Sequence, residues 1–220
     1  MEIAMTLDLF SDPDGCVERL SLGPGASVLR GRALPHADAL FAEVCALERH
    51  SPFRRMTTAG GHTMSMASTN CGSLGWISDR NGYHYGAIDP ETRAPWPPMP
   101  ALFAHLARDT ALEAGFPEFE PDACLINRYL PGAKLSLHQD RDERDFGAPI
   151  VTVSLGMDAV FLFGGHVRAD KTVRVPLRHG DVVVWGGEDR LRYHGVMAVP
   201  DHPHPLLGRQ RISLTFRKAG

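Results

Sequence analysis

Apolar residues recur along two segments of the chain with the three-to-four-residue spacing of an amphipathic helix. The first segment covers about 36–49, and the second runs from about 100 to 115, directly after the proline-rich stretch 95–100. One face of the second segment is expected to carry Leu102, Phe103, Leu106 and Leu112. We therefore predict two helices, each packed by one face against a core.

Most of the remaining apolar residues fall in short runs of β type. One run lies at 26–30, within an otherwise irregular stretch from 1 to about 33. After the second helical segment, further runs alternate with turns at 123–129, 134–138, 150–156, 159–164, 173–177, 181–186, 192–198 and 211–217. Regularly spaced short strands are typical of a barrel or a jelly roll. The pattern predicts a mainly β fold with flanking helices, in one domain spanning 1–220.

Residues 51–98 are rich in Gly, Thr, Ser and Pro, and they carry isolated aromatic residues at Trp76, Tyr83 and Tyr85. Gly60-Gly61 and Asn81-Gly82 are turn signals typical of hairpins. Aromatic side chains in such a region either pack beneath a loop or form part of a binding site. The weak apolar character of the surrounding sequence favours the binding role.

Composition excludes some classes of protein. A formal net charge of −3 argues against a protein that coats nucleic acid with a uniformly basic surface, although local Arg and Lys contacts stay open. The scattered cysteines lack a C-x-x-C pair, so we expect reduced thiols in a cytoplasmic protein; they are Cys16, Cys45, Cys71 and Cys124. The sequence shows neither a signal peptide nor a long apolar run, and we expect no membrane association.

Three His-x-Asp tripeptides occur in the chain, and their contexts differ. His36-Ala37-Asp38 opens the first helical segment, where positions i and i+2 diverge and Asp38 suits the first turn. His179-Gly180-Asp181 is typical of a turn before a buried strand. His138-Gln139-Asp140 ends a strand-like run and enters a charged loop. Because strand side chains alternate, His138 and Asp140 should share one face.

A distant second histidine would complete a metal site with this pair. His194 lies in Tyr193-His194-Gly195, downstream of several strand-like runs. Two histidines and one carboxylate form a facial triad that holds non-haem Fe(II) and leaves coordination positions open. We therefore predict that His138, Asp140 and His194 bind Fe(II), and that the protein is an iron oxygenase.

The last predicted strand alternates strictly between apolar and polar residues. One face carries Ile212, Leu214 and Phe216, and the other carries Arg211, Ser213, Thr215 and Arg217. The polar face either meets solvent or lines a barrel interior that binds an anion, because Arg matches a carboxylate. Inward arginines without an anionic partner would be destabilising, so the second interpretation requires a ligand. On strand 123–129, Asn127 and Tyr129 share a face and could donate hydrogen bonds to it.

Short motifs follow one another over nearly the whole chain, from 7–10 to 216–217. They lie at 51–54, 69–72, 74–76, 121–129, 131–140, 163–165, 179–187 and 193–195. On these motifs, the chain resembles bacterial AlkB-type Fe(II)/2-oxoglutarate-dependent dioxygenases, which repair alkylated bases in nucleic acids after DNA damage. The resemblance implies a double-stranded β-helix (jelly roll) with an N-terminal substrate-recognition insert. The nucleotide-recognition insert would cover about 51–98, and the jelly-roll core about 121–217.

The resemblance also implies roles for individual residues. His138, Asp140 and His194 would bind the iron, with O2 and the cosubstrate 2-oxoglutarate beside it. Arg211 would pair with the distal carboxylate of 2-oxoglutarate and Arg217 would lie near its keto-acid end. The cosubstrate pocket would also include Asn127, Tyr129 and Ser213, the last at a position where related sequences often carry Asn. Ser68 is a second departure, since a bulkier apolar residue is expected there.

The implied substrates are alkylated bases such as 1-methyladenine and 3-methylcytosine, in single- or double-stranded DNA or in RNA. Trp76 and the His138 ring would sandwich the target base, as expected for a flipped nucleotide. Tyr83 and Tyr85 would contact the flanking backbone, Asp142 the exocyclic amine, and Arg168 the base or its phosphate. Phosphates are expected to meet a few cations, namely Arg54, Arg55, Lys134, Arg141 and Arg168. The implied reaction is demethylation with release of formaldehyde, by a monomer.

Two alternatives stay open at this stage. One is a 2-oxoglutarate-dependent hydroxylase acting on a protein or small molecule, and the other is a cupin-like module that holds metal without turnover. The aromatic residues of 51–98 favour a stacked base, and the open triad disfavours a purely structural metal. In the segment His202-Pro203-His204, a second metal site is less expected than ordinary surface histidines.

Overall fold

The computed structural model describes residues 18–80 and 82–220. The motif at 7–10, Cys16 and Asn81 of the predicted Asn81-Gly82 turn lie outside the described residues, so the expectations attached to them are not addressed by the structure. No helix in the described ranges combines the length and apolar character needed to cross a bilayer.

The described residues form two α-helices and thirteen strands, with short 3-10 turns at Leu34–His36 and Gly187–Asp189. The helices are α1 (Ala37–His50) and α2 (Ala101–Glu113). The strands are β1 (Arg19–Gly23), β2 (Ala26–Leu29), β3 (Ala67–Gly72), β4 (Gly75–Asp79), β5 (Gly82–Gly86), β6 (Ala123–Tyr129), β7 (Leu135–His138), β8 (Ile150–Gly156), β9 (Ala159–Phe163), β10 (Val173–Leu177), β11 (Val182–Trp185), β12 (His194–Val196) and β13 (Arg211–Arg217).

Both predicted helices and every predicted strand are present, with ends that agree to within two residues. The predicted elements did not include β1, β3, β4 or β5. Strand β3 reads Ala-Ser-Thr-Asn-Cys-Gly, which has no apolar alternation, and its backbone pairs with β6. Its side chains are buried by tertiary contacts, so local sequence carries little signal for this strand. Strands β4 and β5 pair with each other as an antiparallel hairpin.

The strands form two sheets that pack face to face, with a separate hairpin. The large sheet has seven strands in the order β1-β2-β11-β8-β13-β6-β3, and the small one has four in the order β10-β9-β12-β7. Strand β11 shows the layering, because Val182 and Val184 pack toward the helices while Val183 and Trp185 pack toward the small sheet. This arrangement is the predicted jelly roll, or double-stranded β-helix. Strand β3, although it lies within 51–98, belongs to the large sheet.

One predicted core position on α2 was wrong. Phe103 and Leu106 are buried as expected, but Leu112 is 60% exposed. Leu112 follows Phe103 by nine positions, which is about two and a half helical turns and places the two residues on opposite faces. The buried face instead continues through Ala107, Thr110 and Ala111. Small residues there let α2 approach the sheet closely.

This difference gives a test of the packing. Phe103 is fully buried and meets the Phe216 ring edge-on at a centroid distance of 5.9 Å. We expect Phe103→Ala to lower the free energy of unfolding by about 3–5 kcal/mol, and the control Leu112→Ala to change it by less than about 0.5 kcal/mol. Urea unfolding of both variants measures these values, and equal losses would contradict the assignment of faces.

Candidate active site

The strand pairing brings together the histidines of the predicted metal site. His138 ends β7, and His194 begins β12 directly opposite it. Gly195 permits this close pairing, because a Cβ atom there would lie 2.7 Å from the Leu135 carbonyl oxygen. Asp140, two residues beyond the end of β7, places its Oδ1 3.4 Å from His138 Nε2 and 3.8 Å from His194 Nε2. The candidate ligand atoms of all three residues lie within 4.8 Å of one another.

Backbone carbonyls orient both imidazole rings. Nδ1 of His138 lies 3.0 Å from the Ser136 carbonyl oxygen, and Nδ1 of His194 lies 3.1 Å from that of Arg192. Because a carbonyl oxygen only accepts, each Nδ1 must carry the hydrogen. Each Nε2 then presents a lone pair toward Asp140, which is the arrangement that metal-binding histidines use.

The Asp140 carboxylate divides its oxygens between two partners. Arg217 donates to Oδ2 from Nε at 2.8 Å and from Nη2 at 2.6 Å, and both side chains are buried. Oδ1 therefore faces the two histidines, free to serve as the third metal ligand. The Arg217 guanidinium holds the carboxylate in this orientation through charge-assisted hydrogen bonds.

The electrostatics of the site keep the ligand atoms ready for a cation. Burial would by itself raise the pKa of Asp140, but Arg217 and the two histidines outweigh it and hold that pKa well below its ordinary value. Burial and the neighbouring His138 lower the pKa of His194 to about 3. At neutral pH, Asp140 is therefore ionised and His194 is neutral, which are the forms that bind a metal.

The other His-x-Asp tripeptides have structural roles, as predicted. Asp38 lies in the first turn of α1. His179 accepts a hydrogen bond on Nδ1 from the Gly156 amide at 2.9 Å, and Asp181 accepts from Arg30 Nη1 at 2.6 Å. The His204 ring lies beside the His179 ring at a tilt of 34°, with ring centroids 4.2 Å apart, and His202 is exposed. In the described part of the chain, His138, Asp140 and His194 form the one cluster suited to a metal.

The polar face of β13 lines an interior cavity of about 670 Å³. All of β13 is buried, because the small sheet covers the face that a half-buried strand would expose to solvent. The solvated-face interpretation is therefore wrong, and the inward-facing one is confirmed. The cavity is shared by the metal triad and the predicted cosubstrate residues Asn127, Tyr129, Arg211, Ser213 and Arg217.

The two inward arginines differ in their partners. Arg217 contacts Asp140 and also Glu143, at 3.2 Å between Nε and Oε1. The expectation that every inward arginine needs a ligand was therefore wrong for Arg217, because nearby protein carboxylates balance its charge. Arg211 donates from Nε to Ser154 Oγ at 3.0 Å and lies over the Tyr129 ring at 5.1 Å. Its buried Nη1 has no hydrogen-bond partner, which fits an anion in the cavity.

Ser68, which departs from the expected apolar residue, contacts the predicted cosubstrate pocket. It lies on β3 opposite Asn127, and its hydroxyl donates to Asn127 Oδ1 at 2.7 Å. The Asn127 amide nitrogen is then directed elsewhere, and Asn127 lines the cavity. A single polar residue in a weak strand carries no sequence signal of such a contact.

Two aromatic residues of the β4–β5 hairpin line the same cavity. Trp76 stacks on Tyr83 with ring centroids 5.4 Å apart, and both line the cavity together with His138 and the exposed Arg168. Trp76 Nε1 donates to Asp142 Oδ2 at 3.0 Å. Tyr85 does not line this cavity, and its hydroxyl donates to Glu143 Oε1 at 2.8 Å.

The chain matches the 2OG-Fe(II) oxygenase superfamily over residues 28–217. It belongs to that superfamily. The protein is similar to the alpha-ketoglutarate-dependent dioxygenase AlkB of Salmonella typhimurium, with 55% identity over 213 residues that cover 97% of this chain and 98% of the relative. The nucleic acid dioxygenase ALKBH1 of Mus musculus is 34% identical over 131 residues, which cover 59% of this chain and 33% of that protein.

Among solved structures, that of OsALKBH1 superposes with a TM-score of 0.79 at 29% identity, over 91% of this chain and all of the other. The protein is an Fe(II)- and 2-oxoglutarate-dependent dioxygenase that uses O2. The site fits these groups, since it offers two imidazole nitrogens, one carboxylate oxygen and an unpartnered buried guanidinium nitrogen.

We expect His138→Ala, Asp140→Ala and His194→Ala each to abolish tight metal binding, because each removes one of three ligands. The controls His36→Ala and His179→Ala should retain it. Calorimetric titration with Co(II) under anaerobic conditions measures the affinity independently of turnover. Loss of binding in His179→Ala, with binding kept in His138→Ala, would contradict the assignment.

We expect Arg211→Ala to weaken 2-oxoglutarate binding by about 3 kcal/mol, because a buried charge-assisted pair with a carboxylate is lost. Arg217→Ala should affect this binding less and turnover more, since Arg217 orients Asp140. The control is Arg108→Ala, which removes an exposed ion pair with Glu120. The Michaelis constant for 2-oxoglutarate measures the effect, and an unchanged value in Arg211→Ala would exclude this cosubstrate contact.

Proposed function

We propose that this dioxygenase oxidatively demethylates alkylated bases of the 1-methyladenine and 3-methylcytosine type in DNA. The observation that carries the proposal is one cavity whose lining includes both the predicted metal triad and the aromatic residues Trp76 and Tyr83. An aromatic platform beside an oxidising metal suits a flat, flipped base better than an aliphatic substrate. Relatives named as dioxygenases of nucleic acid agree with this substrate class.

The residues of the cavity account for recognition of a cationic base. Both proposed lesions carry positive charge, and Asp142 lines the cavity as a carboxylate. The Trp76 indole donates to Asp142 Oδ2. The residue that would stack on the base therefore also orients the Asp142 carboxylate. Coulombic attraction to Asp142 would favour a charged lesion over a neutral base. Both lesions also lose Watson–Crick pairing, which lowers the cost of flipping.

The reaction follows from how these residues place the methyl group. Trp76 and His138 would hold the base with its N-methyl group toward the triad, while Arg211 holds 2-oxoglutarate by its distal carboxylate. Fe(II), when bound with 2-oxoglutarate and O2, supplies the oxidation of the methyl group to a hydroxymethyl group. This product breaks at the C–N bond, which releases formaldehyde and the unmodified base, while 2-oxoglutarate yields succinate and CO2.

Binding of the strand itself rests on few cations. Lys134, Arg141 and Arg168 line the cavity. Arg54 is not part of this lining, and it pairs with Asp89 at 2.8 Å and lies 3.6 Å from Glu91. With three phosphate contacts, the logarithm of the affinity for a single strand should fall by about 2 for each tenfold rise in salt concentration. Affinity for undamaged strands should accordingly be weak.

The proposal is tested by formaldehyde release from oligonucleotides that carry 1-methyladenine, with Fe(II), 2-oxoglutarate and O2. The assay is run with single-stranded DNA, double-stranded DNA and RNA of the same sequence. Formaldehyde and succinate should appear in equal amounts, and the oligonucleotide should lose the mass of a methylene group. Succinate without formaldehyde from every strand would overturn the proposal in favour of a hydroxylase of proteins or small molecules.

We expect Trp76→Ala to weaken binding of the methylated oligonucleotide by about 1–3 kcal/mol, because base stacking is lost. Turnover of 2-oxoglutarate in the absence of oligonucleotide should not change. Trp76→Phe keeps an aromatic face but loses the donor to Asp142, so it should retain more affinity and discriminate less between cationic and neutral lesions. Fluorescence anisotropy measures binding; equal affinities of wild type and Trp76→Ala would exclude the stacking role.

A further inference from the structure

Glu143 is a buried acid to which the sequence assigned no role. It follows the metal-site residue Asp140 in the same loop, and its side chain is 1% exposed. Three groups surround its carboxylate: the Tyr85 hydroxyl at 2.8 Å, Arg217 Nε at 3.2 Å and Arg190 Nη2 at 3.1 Å. A buried carboxylate is tolerated only with such partners, because an isolated buried charge is strongly destabilising.

These contacts form a continuous path between the β4–β5 hairpin and the metal site. Tyr85, on β5, donates to Glu143 Oε1, and Glu143 contacts the same Arg217 Nε that donates to Asp140 Oδ2 at 2.8 Å. A second branch runs through Arg190, whose Nη1 donates to the Asp140 carbonyl oxygen at 2.8 Å. Each step of the first branch is a direct contact between side chains, and the second branch ends on the backbone of Asp140.

The hairpin belongs to neither of the two larger sheets. It carries Trp76 and Tyr83 on the side of the cavity, and Tyr85 connects it to the loop of the metal ligand. Other contacts also hold the hairpin, since Asn70 bonds the Trp76 backbone and Trp96 Nε1 donates to the Gly86 carbonyl oxygen at 2.9 Å. Loss of the Tyr85 hydroxyl should therefore leave the hairpin folded.

Arg217 is shared between two carboxylates, and this sharing makes the path chemically significant. Its Nε lies within reach of both Asp140 Oδ2 and Glu143 Oε1. When Glu143 draws closer to Arg217, Asp140 receives less of the positive charge, and its Oδ1 becomes a stronger ligand for a cation. The position of Glu143 depends in turn on Tyr85, and hence on the hairpin that would receive the nucleotide.

We propose that Glu143 is a positioning residue that couples docking of the nucleotide on the β4–β5 hairpin to the strength of the metal site at Asp140. The inference rests on the proposed function, because it takes the hairpin to be the surface that binds the substrate strand. Coupling between two ligands is reciprocal. The oligonucleotide should therefore tighten metal binding by the same factor by which the metal tightens oligonucleotide binding.

The test measures this factor with Co(II) and a single-stranded oligodeoxynucleotide that carries 1-methyladenine. Co(II) titrations followed by visible absorption give the metal dissociation constant with and without oligonucleotide. Fluorescence anisotropy gives the oligonucleotide dissociation constant with and without Co(II). In wild type we expect a factor of about five or more. Tyr85→Phe and Glu143→Gln should each reduce it to less than about twofold.

The matched control is Glu113→Gln, which changes the same functional group in an ion pair with Arg32 at the end of α2, remote from the cavity. It should keep the wild-type factor, and thermal melting should show that all variants fold. If the wild-type protein demethylates the oligonucleotide and the variants keep its coupling factor, the coupling role alone is overturned. A wild type that neither binds nor demethylates the oligonucleotide overturns the proposed function, and the coupling role with it.

Discussion

The site depends on one buried ion pair, between Arg217 on β13 and the Asp140 carboxylate. Removing either charge would leave the other buried without its main partner, which is strongly destabilising. The pair also decides which oxygen of Asp140 faces the histidines, because Arg217 occupies Oδ2 with two donors. A carboxylate free to rotate would present either oxygen. The ion pair therefore fixes which oxygen of Asp140 a bound metal would meet.

Strand β13 shows how neighbours give identical side chains different roles. Arg211 and Arg217 lie on the same face of one strand and line the same cavity. Arg217 contacts the carboxylates of Asp140 and Glu143, whereas Arg211 donates to the Ser154 hydroxyl, lies over the Tyr129 ring and keeps Nη1 without a hydrogen-bond partner. Arg217 is thus balanced by carboxylates of the protein, and the unpartnered nitrogen of Arg211 supports the prediction that Arg211 binds the cosubstrate.

The β4–β5 hairpin stands apart from the two sheets, yet its side chains reach the loop that follows β7 at two points. Trp76 contacts Asp142 and Tyr85 contacts Glu143. Because Asp140 belongs to the same loop, the predicted residues for substrate recognition and for metal binding share a short stretch of backbone. Functional residues are commonly placed on loops that a rigid scaffold positions, and the loop after β7 is such a case here.

Much of the fold could be predicted from the sequence, because period-two and helical apolar patterns report local geometry. The β strands after residue 120, both helices and the facial triad follow from such patterns and from the His-x-Asp context. Strand β3, the exposure of Leu112, the inward orientation of β13 and the partners of Ser68 and Glu143 do not. Each of these features depends on which surface covers a residue, and contacts between residues far apart in the sequence decide that.

Sequence alone determined which residues could bind a metal, a carboxylate or a base. Only the tertiary structure decided which charges are buried together, because burial is what makes an ion pair or an unpartnered nitrogen significant.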